Sequence, residues 1–137
     1  MQALGRHLIV EYYGCNPKVL DEIEIIEEAM LQATQEMQAT RVAHKFHKFA
    51  PQGVSGAVII EESHLTIHTW PEYGYAAVDF YSCGNKVNPH IGVQVLEKYL
   101  QSNNVNVTEL LRGFVNAPHS QTLYADETRG SLVKNID

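Results

Sequence analysis

The segment GVSGAVIIEESHLTIHTWPEYGYAAVDFYSCG (residues 53–84) contains three apolar runs that are separated by two polar breaks. The runs are rich in β-branched and aromatic residues, which favour strands. They are Val54–Ile60, Leu65–Thr69 and Tyr75–Tyr81, and the breaks are Glu61–His64 and Pro71–Gly74. Strand-like runs between turn signals predict an antiparallel meander at the centre of the domain.

The residues of the first turn are unusual for a hairpin. Two-residue loops favour Asn-Gly and other glycine-containing pairs, because their backbone adopts positive φ angles. Glu62-Ser63 stands at this turn instead. The sequence therefore indicates either a longer, ordinary loop with solvated carboxylates or a strained turn of the kind found at functional sites.

Ser63 has reactive and polar residues near it in the same segment. They are a second serine, Ser55, a histidine, His68, and a cysteine, Cys83. A serine hydroxyl beside a strained peptide bond can attack the carbonyl that precedes it, here that of Glu62. The attack requires a base and hydrogen-bond donors that stabilise the oxyanion.

The flanking segments predict an α+β fold. Strands are expected over Leu4–Tyr13, over Thr40–Phe49 and around Val105–Leu110. Asn16-Pro17 and Asn88-Pro89 each combine an N-cap residue with a proline at the first helical position, which predicts an amphipathic helix after each pair. This order of elements favours a two-layer sandwich, in which helices cover one face of an antiparallel sheet.

The composition is that of one globular domain, which we place at residues 1–112, with an irregular tail over residues 113–137. The net charge of the 137 residues is −6 and no basic run is present, which argues against nucleic acid or an anionic membrane as a partner. The two cysteines, Cys15 and Cys83, do not make a disulfide framework, and no signal peptide or membrane span is evident. We therefore expect a cytoplasmic protein with reduced thiols.

The spacing of His64 and His68 raises the question of a metal site. On a strand these residues would lie about 13 Å apart, at about 3.3 Å per residue, which is too far to share one ion. Only a helix would bring residues i and i+4 together. Because Leu65–Thr69 is rich in β-branched residues, we expect no metal.

The segments around Ser63 closely resemble those of a known family. They are PQGVSG (51–56), ESHLTIHTWPE (62–72) and DFYSCG (79–84), together with GRHLIVEYYGC near the N-terminus and FHKFAPQGVSG before the meander. They resemble the bacterial pyruvoyl-dependent S-adenosylmethionine decarboxylases, and the resemblance extends over roughly residues 1–112. The chain differs at position 61, where the resemblance leads us to expect serine and the sequence has glutamate.

The resemblance implies a proenzyme that cleaves itself between Glu62 and Ser63. Ser63 would attack the Glu62 carbonyl while Ser55 holds the oxyanion, and His68 would then remove the Ser63 α-proton. Residue 63 would become a pyruvoyl group, which is a covalent cofactor made from the chain itself. It would cap residues 63–137 and would form a Schiff base with the substrate.

The resemblance further implies that the substrate is S-adenosylmethionine and that the product serves polyamine synthesis, including that of spermidine. Cys83 would return a proton after CO2 leaves. Phe49 would stack on the adenine, and Glu72 would accept hydrogen bonds from the ribose hydroxyls. Trp70 would face the adenine or pack at an interface. Glu11 and Tyr12 are further candidates for the pocket.

The strand spacing raises a problem for a single chain, because Ser63 and His68 would lie about 16 Å apart. A two-fold symmetric homodimer removes the conflict, since residues of one subunit can meet those of the other. We expect a shared active site, to which one subunit contributes Ser63 and Cys83 and its partner contributes Phe49, Ser55, His68 and Glu72. A bend within one chain is the alternative.

Two other functions are considered. A pyruvoyl enzyme could decarboxylate a basic amino acid such as arginine or ornithine, although Trp70 and Glu72 would then have no adenine or ribose to contact. The chain could also be an unprocessed, non-catalytic partner of an active homologue. Glu61 is the one residue that favours this second alternative.

Overall fold

The computed structural model describes residues 3–115, 121–126 and 131–136. Its strands and helices are, in chain order, β1 (Ala3–Tyr13), α1 (Pro17–Leu20), α2 (Ile23–Glu36), β2 (Arg41–Lys48), β3 (Val54–Ile60), β4 (Ser63–Trp70), β5 (Tyr75–Cys83), α3 (Pro89–Leu100), β6 (Asn104–Phe114), β7 (Gln121–Asp126) and β8 (Ser131–Ile136). A six-stranded antiparallel sheet has the strand order β2-β3-β4-β5-β1-β6. The meander predicted from residues 53–84 forms its centre.

Alternation along the central strands separates a buried face of the sheet from an open face. Leu65 and Ile67 of β4 and Phe80 of β5 are fully buried. They form one core with apolar residues of the helices, among them Ile26 of α2 and Leu96 of α3. The helices thus cover one face of the sheet, and the predicted two-layer α+β fold is confirmed.

The open face of the sheet carries polar and aromatic side chains that are half-buried or exposed. On β4 and β5 these are His64, Thr66, His68, Trp70, Tyr75, Asp79, Tyr81 and Cys83. The Asp79 carboxylate accepts a hydrogen bond from the Thr66 hydroxyl at 3.0 Å and lies 3.0 Å from His7 Nε2. Most of the residues singled out for chemistry lie on this face or at its ends.

Both predicted helix starts are present. The Asn16 side chain accepts from the Lys18 N–H, and the Asn88 side chain accepts from the His90 N–H. The first helix, however, is interrupted between α1 and α2. The Thr69 hydroxyl donates to the Leu20 carbonyl at 2.8 Å. The carboxylate of the next residue, Asp21, accepts hydrogen bonds from Lys48 of β2 and from the Gly53 N–H before β3. These long-range bonds fix the backbone at the break, and the apolar pattern does not reveal them.

The segment beyond residue 112 contains regular structure that the sequence analysis did not predict. β6 continues to Phe114, and β7 pairs with β8 as a separate antiparallel two-stranded sheet. The expectation of an irregular tail is therefore wrong for these strands, whose apolar runs are too short to show a period. Residues 116–120, 127–130 and 137 lie outside the described residues, and the domain boundary at 112 stays a prediction.

Within the part of the chain that the structure describes, no helix is long and apolar enough to cross a membrane.

The hydrogen bonds of the Asp21 carboxylate should make the stability of the fold depend on pH in the acid range. Its Oδ1 accepts from Lys48 Nζ at 2.7 Å and from the Gly53 N–H at 2.9 Å. The Lys48 hydrogen bond, followed by that of Gly53, lowers the pKa of Asp21 from its ordinary value of 3.8. A carboxyl group whose pKa is lower in the folded state contributes stability above its unfolded pKa and loses it as pH falls through the folded value.

We therefore expect Asp21→Asn to lower the melting temperature at neutral pH and to make it fall less steeply between about pH 5 and pH 3. Thermal unfolding followed by circular dichroism across this range measures both effects. Glu97→Gln, which removes an exposed carboxylate of α3, is the control and should keep the wild-type pH profile. Parallel profiles for Asp21→Asn and wild type would contradict the prediction.

Candidate active site

The β3–β4 turn places Ser63 in a strained backbone conformation. Ile60 pairs with Ser63, so the turn consists of Glu61 and Glu62, and the predicted Glu62-Ser63 turn is wrong by one residue. Ser63 opens β4 with a φ of 147°, in a region that favours glycine. Such backbone costs about 1–3 kcal/mol. The segment thus forms the tight, strained turn and not the longer loop.

The carbonyl oxygen of Glu62 accepts two hydrogen bonds from Cys83. The Cys83 backbone nitrogen lies 2.9 Å from it, and the Cys83 Sγ lies 3.1 Å from it. This follows from the register of β4 and β5, which sets Ser82 opposite Ser63 and brings the next residue to the turn. The carbonyl that Ser63 would attack therefore already has two donors on its oxygen, as an oxyanion requires.

Ser55, which the sequence analysis assigned to the oxyanion, lies elsewhere within one chain. Its Oγ is 2.8 Å from His68 Nδ1, and the two residues pair across β3 and β4. The contact fixes the orientation of the imidazole. Sequence reasoning missed the donors at the Glu62 carbonyl because it treated Cys83 only as a proton donor. The meander was the available signal, since it sets the end of β5 beside the start of β4.

The other predicted site residues line a cavity of about 290 Å³. It is lined by Phe49, Gln52, Gly53, Ser55, His68, Thr69, Trp70 and Glu72. Gln52, Gly53 and Thr69 were not predicted as site residues. A larger cavity of about 720 Å³ lies between α2 and the start of β2 and is lined by none of the predicted residues. The smaller cavity is the candidate substrate site because aromatic rings, a carboxylate and an oriented histidine converge there.

Hydrogen bonds hold the loop that carries Phe49 into this cavity. The Phe49 N–H donates to the Gly53 carbonyl at 2.8 Å, and Lys48 Nζ donates to the Phe49 carbonyl at 3.3 Å. The Val54 N–H donates to the Thr69 hydroxyl at 2.8 Å. With the contacts of Asp21 described above, these bonds tie the loop to both β4 and the α1–α2 junction. Phe49 is 46% exposed, so its ring is available for stacking.

Trp70 belongs to a row of stacked aromatic rings at the end of β4. Its ring centroid lies 5.3 Å from that of Tyr75, which lies 5.4 Å from that of Tyr13. The Tyr75 hydroxyl donates to Glu11 Oε2 at 2.7 Å, and burial raises the pKa of Tyr75. Glu11 therefore contacts this row of rings and does not line the cavity.

Tyr12 does not line the cavity, contrary to the expectation. It is fully buried on the helix-covered face of β1, and its hydroxyl donates to the Val93 carbonyl at 2.8 Å. Alternation along β1 puts Tyr12 and Glu11 on opposite faces. Among the described residues, no group of three or more histidine, cysteine, aspartate or glutamate side chains could hold a metal ion.

The predicted residues thus form two clusters at opposite ends of β4. One contains Glu62, Ser63 and Cys83, and the other surrounds the cavity that holds Ser55 and His68. Ser63 pairs with Ile60, and His68 pairs with Ser55, so the clusters are about 16 Å apart along continuous strands. The structure has no bend that would bring His68 to the Ser63 of the same chain, because their pairing is unbroken over this stretch.

A family model described as "S-adenosylmethionine decarboxylase" matches residues 6–113. A protein of Thermosipho melanesiensis named "S-adenosylmethionine decarboxylase proenzyme" is 56% identical to this chain over 113 residues, which cover 82% of this chain and 87% of that protein. A protein of the same name from Caldanaerobacter subterraneus is 52% identical over 118 residues, which cover 86% of this chain and 95% of that protein.

A solved structure is also similar. The crystal structure of the adenosylmethionine decarboxylase from Aquifex aeolicus matches this fold with a TM-score of 0.79 at 30% sequence identity. The match covers 88% of this chain and 100% of that one.

Proposed function

The chain belongs to the S-adenosylmethionine decarboxylase family, and from this premise we propose that it is a self-processing enzyme that decarboxylates S-adenosylmethionine. The products would be CO2 and decarboxylated S-adenosylmethionine, an aminopropyl donor for polyamines such as spermidine. The observation that carries the proposal is the strained Ser63 beside a Glu62 carbonyl that already accepts two hydrogen bonds from Cys83. The names of the relatives do not favour arginine or ornithine as substrate.

The first step of self-processing would be an acyl shift at the turn. Ser63 Oγ adds to the carbonyl carbon of Glu62, and the donors of Cys83 take up the oxyanion. The bond from that carbon to the Ser63 nitrogen then breaks, and the nitrogen gains the proton that the Ser63 hydroxyl has lost. The peptide bond becomes an ester, and the backbone strain at Ser63 is relieved.

The second step would be a β-elimination. His68 of the partner subunit removes the Ser63 α-proton, a Cα–Cβ double bond forms, and the Cβ–Oγ bond breaks so that Glu62 leaves as a carboxylate. The dehydroalanine at position 63 takes up water and loses ammonia. This leaves a pyruvoyl group on residues 63–137 and a free carboxyl-terminal Glu62 on residues 1–62.

Ser55 would determine which of the two ring nitrogens of a neutral His68 carries the proton. A histidine nitrogen can act as a base only when it carries no proton, and the partner of the other ring nitrogen decides which one that is. If the Ser55 hydroxyl accepts from Nδ1–H at the observed 2.8 Å, Nε2 is unprotonated. We therefore assign Ser55 to orienting the base, in place of the oxyanion contact expected from the sequence.

A pyruvoyl group supplies a carbonyl that binds the substrate amine and withdraws electrons as CO2 leaves. Residues near position 63 fit such a group, because the Cys83 thiol lies at the Glu62–Ser63 bond and is exposed. Cys83 would deliver the proton that replaces CO2. Phe49 and Trp70 would contact the adenine, and a sulfonium near either ring would gain about 0.5–2 kcal/mol.

The proposed active site needs a homodimer, because each chain carries two incomplete halves about 16 Å apart. The open face of the sheet supports this, since its aromatic and polar side chains are not covered by the helices. Glu72 in the cavity of one subunit would then bind the ribose of a substrate that is held covalently by the other. The cytoplasmic location and the absence of nucleic-acid and membrane partners stay predictions.

Intact mass tests the self-cleavage. We expect purified wild-type protein to give two fragments that correspond to residues 1–62 and 63–137, the second with an N-terminus blocked to Edman degradation. Ser63→Ala should stay a single chain. One intact wild-type chain after long incubation would support the non-catalytic alternative, and cleavage of Ser63→Ala would refute the mechanism.

Cys83 variants separate its two proposed roles. Cys83→Ala keeps the backbone N–H on the Glu62 carbonyl and loses the thiol, so we expect it to slow CO2 release from S-adenosylmethionine more than it slows cleavage. Trapping of labelled CO2 and the rate of fragment formation measure the two effects. A Cys83→Ala protein that forms fragments much more slowly than wild type, but whose processed fraction releases CO2 at the wild-type rate per chain, would contradict this assignment.

Complementation tests the shared site. Ser63→Ala and His68→Ala should each fail to complete cleavage when expressed alone. When the two are co-expressed with different affinity tags, the His68→Ala chain should be cleaved, because its Ser63 meets the intact His68 of its partner. Co-purification through both tags, followed by intact mass, gives the result. A mixed dimer without cleavage would contradict a site shared between subunits.

A further inference from the structure

The Glu62 side chain is bound by a residue from another part of the chain. Thr40 lies in the connection between α2 and β2. Its backbone N–H donates to Glu62 Oε1 at 3.0 Å, and its hydroxyl donates to Glu62 Oε2 at 3.3 Å. The Thr40 carbonyl in turn accepts from the Glu61 N–H at 2.9 Å. Thr40 therefore contacts both residues of the turn through three hydrogen bonds.

These bonds hold Glu62 from two directions. The carboxylate is bound to Thr40 in the α2–β2 connection, whereas the carbonyl is bound to Cys83 at the end of β5. With both ends of the residue fixed, the peptide plane between Glu62 and Ser63 cannot rotate freely. The positive φ of Ser63 then follows, because the next residue must join this fixed plane to β4.

An ordinary surface interaction is the simpler explanation, and single exposed hydrogen bonds contribute little to stability. The location of these hydrogen bonds at the cleavage site favours a role in self-cleavage. The bonded carboxylate belongs to the residue whose own carbonyl is attacked, and the same Thr40 also binds the other turn residue. The hydrogen bond from the Thr40 N–H lowers the pKa of Glu62, so the side chain is ionised when it makes these contacts at neutral pH.

We propose that Thr40 is a positioning residue for self-cleavage, which acts by holding the Glu62 carboxylate so that the Glu62 carbonyl stays on the donors of Cys83 and in line with Ser63 Oγ. The inference rests on the proposed function. It adds a residue, Thr40, and a side-chain role for Glu62 to the cleavage step, and it assigns neither residue a contact with the substrate.

Substitutions at Glu62 test the proposal by changing the acceptors without touching the peptide bond. Glu62→Met removes both acceptors at similar length and should slow cleavage about tenfold or more, as expected for hydrogen bonds to a charged group. Glu62→Asp keeps the charge on a side chain that is one methylene group shorter, and it should slow cleavage severalfold. Glu62→Gln keeps an acceptor for the Thr40 N–H and should stay within about threefold of wild type.

The rate is measured by intact mass in a time course after cell-free synthesis, so that the unprocessed chain is present at the start. Glu61→Met and Glu61→Asp are the matched controls, because they make the same changes at the other turn position. Both should cleave at the wild-type rate, since the Glu61 contact to Thr40 is made by its backbone. Equal slowing at positions 61 and 62 would overturn the proposal.

A double-mutant comparison separates positioning from a general loss of stability. Thr40→Val removes the hydroxyl bond and should slow cleavage about twofold to threefold in the wild-type background but not in the Glu62→Met background. Neutral hydroxylamine cleaves an ester and not a peptide, so in the His68→Ala background it measures the acyl shift directly. The fraction cleaved by hydroxylamine should fall with Glu62→Met at an unchanged melting temperature.

The outcomes are distinguishable. If wild-type protein does not cleave itself, the proposed function fails. If wild type cleaves and both Glu62→Met and Glu62→Asp cleave at its rate, the proposed function stands and the role of Thr40 is refuted. If Glu62→Met does not fold, Glu62→Asp is used to test the role of Thr40. A fraction of ester in Glu62→Asp equal to that of wild type would then refute this role.

Discussion

The register between β4 and β5 is the constraint on which the candidate site depends. It sets Ser82 opposite Ser63 and thereby brings the Cys83 N–H and thiol to the Glu62 carbonyl. Side chains alternate along a strand, so a slip of one residue would send Cys83 to the other side of the sheet and bury the polar face. The apolar alternation that fills the core, with Leu65 and Phe80 paired and buried, therefore also fixes the position of the reactive groups.

The shortness of the β3–β4 turn follows from the pairing of β3 with β4. Because Ile60 pairs with Ser63, only Glu61 and Glu62 remain to reverse the chain, and neither is glycine. The positive φ falls on Ser63 itself. A longer loop would let the backbone relax, and the carbonyl of Glu62 would leave its donors. Continuous pairing has a second consequence, since it keeps His68 about 16 Å from Ser63 and makes a second chain necessary for the proposed chemistry.

Much of this could be predicted from sequence, because the deciding signals are local. The meander, the caps at Asn16 and Asn88 and the α+β class follow from composition, turn residues and periodicity. The break between α1 and α2 could not be predicted, since the bonds that fix it come from Thr69 and Lys48, far along the chain. Strand spacing predicted that the candidate site residues form two clusters. The contacts of Thr40 and of the Cys83 donors could not be predicted, because they depend on the pairing of strands and loops that are distant in the sequence.

Position 61 has glutamate where the family resemblance predicts serine, and the contacts of this residue in the structure do not require serine. Position 61 contributes its backbone N–H to Thr40, a contact that serine would make equally well. Its side chain is exposed at the turn, where repulsion with Glu62 is weakened by solvent. The Glu62 carboxylate is bound by Thr40, and these hydrogen bonds, with a smaller contribution from the charge of Lys86, lower its pKa. Glu61 therefore alters the charge of the turn and none of the contacts that hold the Glu62–Ser63 bond, which removes the one argument for a non-catalytic chain.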